Sequence, residues 1–351
     1  MVKTASIHTS DRITFRKCRR LWNWTSPLRG NLTSVEAYTP FWLGHGIHFA
    51  LEDFHGYNHF GSPSQAFLEF VLAFRKTSGL VLPDDWEDAR DLAVGMMSHY
   101  SNWLEGRDSL KTLWIDGVPQ VEVPFRVEVP FKTPEYGIVV HEGIIDRVAE
   151  DQHGSLWLVE YKSHKNFSFV CIPVDPQVST YSWAMTGRYD KPIEGMIYQQ
   201  HRKILPDSPT VLQSGRISTN QAQATTRALY KEALINLYGD VSKAPQPNVD
   251  FLNWLGTQED EDSDKFIKRT LVRRNQRQIE AEGVKILQEL PDMLNPDLQI
   301  YPTPTSNCSW NCDCYTACIS LDDGSDWEHE LATTMQKRTK EDERWRQHLP
   351  Q

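Results

Sequence analysis

Residues 143–164 read GIIDRVAEDQHGSLWLVEYKSH, and this stretch decides the fold class. Two apolar runs flank the tetrad DQHG (151–154), whose Asp and Gly suit a tight turn, so a β-hairpin is predicted. Side chains alternate along a strand, so Glu160 and Lys162 share one face and Tyr161 takes the other. Folding back at the turn brings Asp146 beside Glu160. Two carboxylates and an ammonium then meet on strands otherwise built of Ile, Val, Leu and Trp. Charged groups on an apolar strand are costly unless they pair or hold a metal. Oxygens from Asp146 and Glu160 suit a hard divalent ion, Mg²⁺ or Mn²⁺. Lys162 can position a water or balance charge developing on a phosphate. A lone E-x-K is more simply a cross-strand ion pair. The apolar strand around it, and an aspartate fourteen residues upstream of Glu160, favour the metal site.

The strand pattern starts near Thr112, passes through VEVPFRVEVPF and ends at Lys162. Upstream, helical spacing predicts four helices: SDRITFRKCRRLWNW, with Ser10 or Asp11 as N-cap, then TPFWLGHGIHFALEDFHGY, SPSQAFLEFVLAFRKTSG and LPDDWEDARDLAVGMMSHYSNWLEG. Downstream, DPQVSTYSWAM opens with Asp175 as a cap and Pro176 in its first turn. IEGMIYQQ reads as a buried strand; TNQAQATTRALYKEALINLYG and NQRQIEAEGVKILQELPDML read as helices. The chain therefore divides into a helical N-terminal part (1–110), a core sheet with its helices (111–205), a helical C-terminal part (206–326) and a polar tail without a core face (327–351).

The formal net charge of −10 argues against a protein that coats nucleic acid by bulk attraction. Positive charge is local, in RKCRR (16–20) and KFIKRTLVRRNQR (265–277); acidic runs are EDEDSD (259–264) and LDDGSDWEHE (321–330). Taken singly, each run is most simply a solvated face. No run of 18 apolar residues occurs, so no membrane helix is expected. The start has no apolar signal region, so a cytoplasmic chain with reduced thiols is expected.

GIIDRV, LVEYKS and DPQVSTY resemble the core motifs of the PD-(D/E)XK nuclease superfamily, in its RecB-like branch. The resemblance implies an α/β restriction-endonuclease-like core, with a central mixed sheet flanked by helices. It implies catalytic roles for Asp146, Glu160 and Lys162, with Gln177 and Tyr181 sharing a helix face that borders the site. It also implies a metal-ligating histidine on an upstream helix. LGHGIHFALEDF supplies the frame Gly44, His48, Leu51 and Glu52, which selects His48 over His45. The implied ligands are His48, Asp146, Glu160 and the Tyr161 backbone carbonyl.

Four of the six cysteines fall in NCSWNCDCYTAC (307–318), spaced C-x₃-C-x-C-x₃-C with no C-x-x-C. They could hold zinc or an iron–sulfur cluster. In the subset resembling the iron–sulfur CRISPR-associated exonucleases and the AddB nuclease domain, one cysteine precedes the core and three follow it. That pattern implies a structural [4Fe–4S] cluster on Cys18, Cys308, Cys312 and Cys318, joining the two helical ends. Cys314 rivals Cys312, and zinc is the alternative ion. Cys171, in FVCIPV, reads as a buried apolar thiol.

The expected function is a metal-dependent DNA exonuclease of phage or bacterial recombination or repair, serving a helicase or strand-annealing partner. Arg16, Arg19, Arg20, Lys268, Arg269, Arg273 and Arg274 are expected to track the DNA backbone, and Trp22 and Trp24 either to stack on bases or to pack in the core. The rival readings are an endonuclease or CRISPR-adaptation-type processing factor, a catalytically silent DNA-binding adaptor and, more weakly, an electron-transfer protein.

Overall fold

The computed structural model describes residues 3–35, 39–77, 82–105, 107, 109–167, 171–258, 264–310 and 312–339. Most of the acidic run 259–264 and the end of the tail lie outside them.

The hairpin organises the molecule. Strand β7 (Tyr136–Glu150) turns at DQHG into β8 (Leu156–His164). Asp151 shapes the turn: its carboxylate accepts the backbone N–H of His153 and Ser155 and the indole N–H of Trp157. Gly154 sits at φ +79°, a left-handed position that glycine takes without steric cost. Around this pair grows a seven-stranded mixed sheet. It adds β1 (Lys3–His8), β3 (Lys111–Thr112), β6 (Val121–Val129), β9 (Ile193–Arg202) and β10 (Ile267–Val272). Strand β6 runs antiparallel on one side of β7. On the other side β7 pairs first with β1, in parallel, and then with β8. Beyond β8 come β9, parallel, and β10, antiparallel. The remaining strands are short: β2 (Leu32–Ser34), β4 (Trp114–Ile115), β5 (Val118–Pro119) and β11 (Met335–Lys337).

Helices cover both faces. α3 (Thr39–His55), α4 (Pro63–Thr77) and α5 (Trp86–Leu104) bury their apolar stripes with Trp157, Val159, Tyr161 and Ile197 of the sheet. α6 (Pro176–Ala184) covers the opposite face, where Val178 and Tyr181 meet Val123, Phe125, Ile145 and Leu158. The Asp175 side chain caps α6, as its sequence predicts. α7 (Arg227–Tyr238) and α8 (Gln246–Thr257) form a satellite cluster. α7 starts only at Arg227 because Thr226 is its cap, so the polar residues 219–225 stay outside it. α9 (Gln276–Met293) opens on an Asn275–Gln278 capping box, worth about 1 kcal/mol.

The N-terminal segment departs from its expected single helix. α1 (Thr9–Lys17) ends where Cys18 adopts extended angles, φ −161° and ψ 114°, and α2 (Arg19–Thr25) restarts the helix. The preceding β1 alternates over only two buried residues, Ala5 and Ile7, and its partner, the start of β7, lies over a hundred residues away. Trp22 and Trp24 are both buried, Trp22 against Phe15 and Trp24 stacked on Trp327, so their role is packing. The start of the polar tail is ordered: α11 (Trp327–Thr334) follows α10 (Tyr315–Asp323), and β11 pairs with β2. Leu331 and Met335 pack with Trp24, a core face too sparse to read from spacing. Cys171 is exposed, because it sits in the loop before α6 rather than on a strand.

Candidate active site

The hairpin ladder places the carboxylates. Pairing between β7 and β8 stops at Arg147–Val159, one step short of Asp146 and Glu160. From Glu160 onward β8 pairs with β9 alone, while β7 turns to β1. The strands thus part at the two carboxylates. One link bridges the gap: the Tyr161 backbone N–H donates to Asp146 Oδ2 at 2.7 Å. The Tyr161 side chain turns into the α3–α5 layer, where its ring stacks on His55. Glu160 and Lys162 turn together toward α6, as strand alternation requires. Lys162 Nζ donates to Glu160 Oε1. Glu160 is 1% exposed, and its Oε2 has no hydrogen-bond partner.

His48 arrives from α3, with Nδ1 at 3.4 Å from Asp146 Oδ1. Leu51, one turn on, is fully buried and anchors that helix face. On α6, Gln177 Nε2 donates to the Tyr181 hydroxyl at 2.9 Å. Five sequence-predicted side chains (His48, Asp146, Glu160, Lys162 and Tyr181) therefore converge, and Gln177 holds the last of them. A sixth group has no counterpart in the motif reading: donor atoms of His48, Glu122 and Asp146 all lie within 4.8 Å of one another. In VEVPFRVEV, Glu122 is one of the outward positions of an alternating strand, so spacing alone carries no signal for it.

The charges depend on one another. Burial and then the Asp146 carboxylate push Glu160 up to about 7, against the opposing pull of Lys162. Burial lowers the His48 imidazole, but Asp146 and Glu160 more than offset this and hold it up at about 9. Burial likewise works against the Lys162 ammonium, and the same two carboxylates keep it above its ordinary range. Asp146, desolvated but facing His48 and Lys162, stays below the usual carboxylate range.

The family model of the PD-(D/E)XK nuclease superfamily matches residues 10–319, from within α1 to within α10. The chain belongs to the PD-(D/E)XK nuclease superfamily. No curated protein sequence matches it. Among solved structures, the crystal structure of SSO0001 is similar over 74% of this chain and 78% of that one, at 13% identity and a TM-score of 0.24.

The superfamily's metal-dependent chemistry fits the donors of this nuclease. Carboxylate oxygens and one imidazole suit Mg²⁺ or Mn²⁺. The unpartnered, buried Glu160 Oε2 is the kind of costly group that a cation would satisfy.

The basic residues divide by direction. Arg269 is 3% exposed, donates to Gln199 and lies over the Trp103 ring, so it faces the interior and is not available to a DNA phosphate. Arg20 is also buried and bonds Asp322 and Cys318, tying α2 to α10. Alternation along β10 hides such roles in a basic run. Arg16 and Arg19 reach the surface while pairing with Glu289 and Asp292 of α9. Arg273 is exposed beside Glu194, and Arg274 donates to Ser179 on α6. Lys268, near the start of β10, is partly exposed.

All six cysteines are free. Cys312, Cys314 and Cys318 pack together under Trp24 and Leu21. The break between α1 and α2 falls at Cys18, so both ends of the chain bring thiols to one region. Cys314 is buried, and its hydrogen bond with Cys312 holds the Cys312 thiol down at about 6. Cys308 lies in its own turn, where its Sγ accepts the backbone N–H of Thr305.

Proposed function

We propose that this nuclease is a metal-dependent DNA exonuclease. The observation that carries the reading is the buried, unpartnered oxygen of Glu160 beside Asp146, at the point where β7 and β8 part. Asp146, Glu160, His48 and the Tyr161 carbonyl would hold Mg²⁺ or Mn²⁺. When bound, such an ion polarises a phosphodiester and makes water a better nucleophile near neutral pH. The protein's own groups do the rest. Lys162 stays charged because both carboxylates hold its proton, and its ammonium orients water and balances charge on the phosphate. Gln177 fixes the Tyr181 hydroxyl at the edge of the site. Arg16, Arg19, Lys268, Arg273 and Arg274 offer the surface charge that a DNA backbone needs. The setting that fits is cytoplasmic recombination or repair, in a phage or bacterial context, with a helicase or strand-annealing protein as partner.

The test is cleavage of end-labelled linear DNA and circular single-stranded DNA, with Mn²⁺, Mg²⁺ or EDTA. Loss of the linear substrate alone, with either ion and not with EDTA, is expected. Cutting of the circle would make the protein an endonuclease. No cleavage by folded protein would favour a DNA-binding adaptor.

We further propose that Cys18, Cys308, Cys312 and Cys318 hold a structural [4Fe–4S] cluster, with Cys314 packed beneath it. Protein purified without oxygen should be brown and carry about four irons per chain. Zinc at about one per chain, without iron, would replace the cluster with a zinc site.

A further inference from the structure

Strand β6 alternates cleanly over most of its length. Val123, Phe125 and Val129 are buried, while Pro124, Arg126 and Glu128 are exposed. By that rhythm Glu122 belongs with the exposed set, yet it is partly buried. The cause is its backbone. Glu122 sits at φ +45°, a left-handed conformation that residues other than glycine rarely adopt. Its neighbours Val121 and Val123 pair with Arg147 and Ile145, which flank Asp146. The strand therefore kinks directly opposite the catalytic aspartate and turns one carboxylate toward it. Two further observations place that carboxylate in the site. Its oxygen lies within 4.8 Å of donor atoms of both His48 and Asp146. The Tyr181 hydroxyl feels the charges of Glu160, Asp146 and Glu122 together. Glu160, whose buried oxygen lacks a partner, adjoins this group through the charges of Asp146 and His48.

We propose that Glu122 is a further metal-ligating residue of this site, delivered by the left-handed kink in β6 and completing a His48–Glu122–Asp146 triad for a hard divalent cation. The proposal rests on the nuclease reading and adds a ligand outside the D…E-x-K frame. An extra anionic ligand raises affinity for Mn²⁺ or Mg²⁺ and fixes the ion on the β6 side of Asp146. The kink then has a function. Non-glycine residues in the left-handed region are strained and persist where the surroundings hold them in place.

The test is Mn²⁺ titration of the intact protein, following free Mn²⁺ by its electron paramagnetic resonance signal. Glu122→Gln keeps the shape and removes the charge, and it should weaken Mn²⁺ binding about tenfold or more. Glu128→Gln makes the same chemical change on the exposed side of the strand and should leave binding unchanged. Glu122→Gly should bind Mn²⁺ as poorly as Glu122→Gln and melt no lower than the wild type without metal, since glycine accepts the kink. Wild-type affinity in Glu122→Gln, with binding lost in Glu160→Gln, overturns the assignment of Glu122 and leaves the nuclease site standing. Equal weakening by Glu122→Gln and Glu128→Gln overturns it as a general charge effect. A wild-type protein that takes up no Mn²⁺ overturns both readings.

Discussion

Replacing Glu160 with glutamine is expected to abolish metal-dependent cleavage and, without metal, to make the protein more stable. The carboxylate is buried, one oxygen lacks a partner, and Asp146 stands beside it. Burial and the neighbouring Asp146 raise its pKa from the ordinary 4.5 to about 7. The folded chain thus holds a proton that the unfolded chain has already released. Stability is therefore fully present below about pH 4.5, falls as pH rises between the two values, and the loss is complete above about pH 7. A shift of this size corresponds to about 3 kcal/mol. Glutamine carries no charge to desolvate and still offers Lys162 an oxygen acceptor. At pH 8 with EDTA, Glu160→Gln should therefore unfold at a higher denaturant concentration than the wild type. Its cleavage should fall about a thousandfold or more, the rate equivalent of several kcal/mol of lost charge stabilisation. Unchanged cleavage would remove Glu160 from the site. Lower stability at pH 8 would mean that the buried carboxylate is satisfied in the folded protein.

The second large effect is structural. Arg12 and Glu282 are each 1% exposed and form an ion pair at 3.0 Å that joins α1 to α9. Thr180 of α6 donates to the same Glu282 oxygen and accepts from Arg12, and Glu289 takes the remaining Arg12 edge at 2.7 Å. One buried network therefore holds three helices behind the sheet. Arg12→Leu leaves Glu282 buried without its main partner and should cost about 3–5 kcal/mol. The double variant Arg12→Leu, Glu282→Leu removes both charges and should recover much of that loss. Urea denaturation of the two variants beside the wild type measures both numbers. A single variant as stable as the wild type would show that Arg12 is not needed, because Arg16 and Lys285 at the rim suffice to hold Glu282.

The grouping of Asp146, Glu160 and Lys162 was legible in the sequence because its parts are local. Period two puts Glu160 and Lys162 on one face; a four-residue turn brings Asp146 beside them; a capped helix spaces Gln177 and Tyr181 on one side. His48 required the resemblance, because a single histidine on a helix carries little information without its partner. The cysteines were visible as a cluster, but spacing could not rank Cys312 against Cys314, which is buried. That order depends on how a turn and a helix pack under Trp24.

What the sequence determined by itself is what repeats over a few residues: the hairpin, the helix faces, the cap of α6 and the carboxylate–lysine pair. Tertiary structure decided everything set by distant partners. The strand Lys3–His8 exists because β7 leaves an edge open where β8 departs. Cys18 splits a helix that its own propensities would have continued. Arg20 and Arg269, read as surface charge, turn inward because Asp322 and Gln199 wait there. Glu122 comes within reach of His48 and Asp146 where β6 takes a left-handed backbone opposite Asp146. Local sequence encodes which face a residue takes. It does not encode which distant segment will lie against that face, because pairing register is chosen by the whole fold.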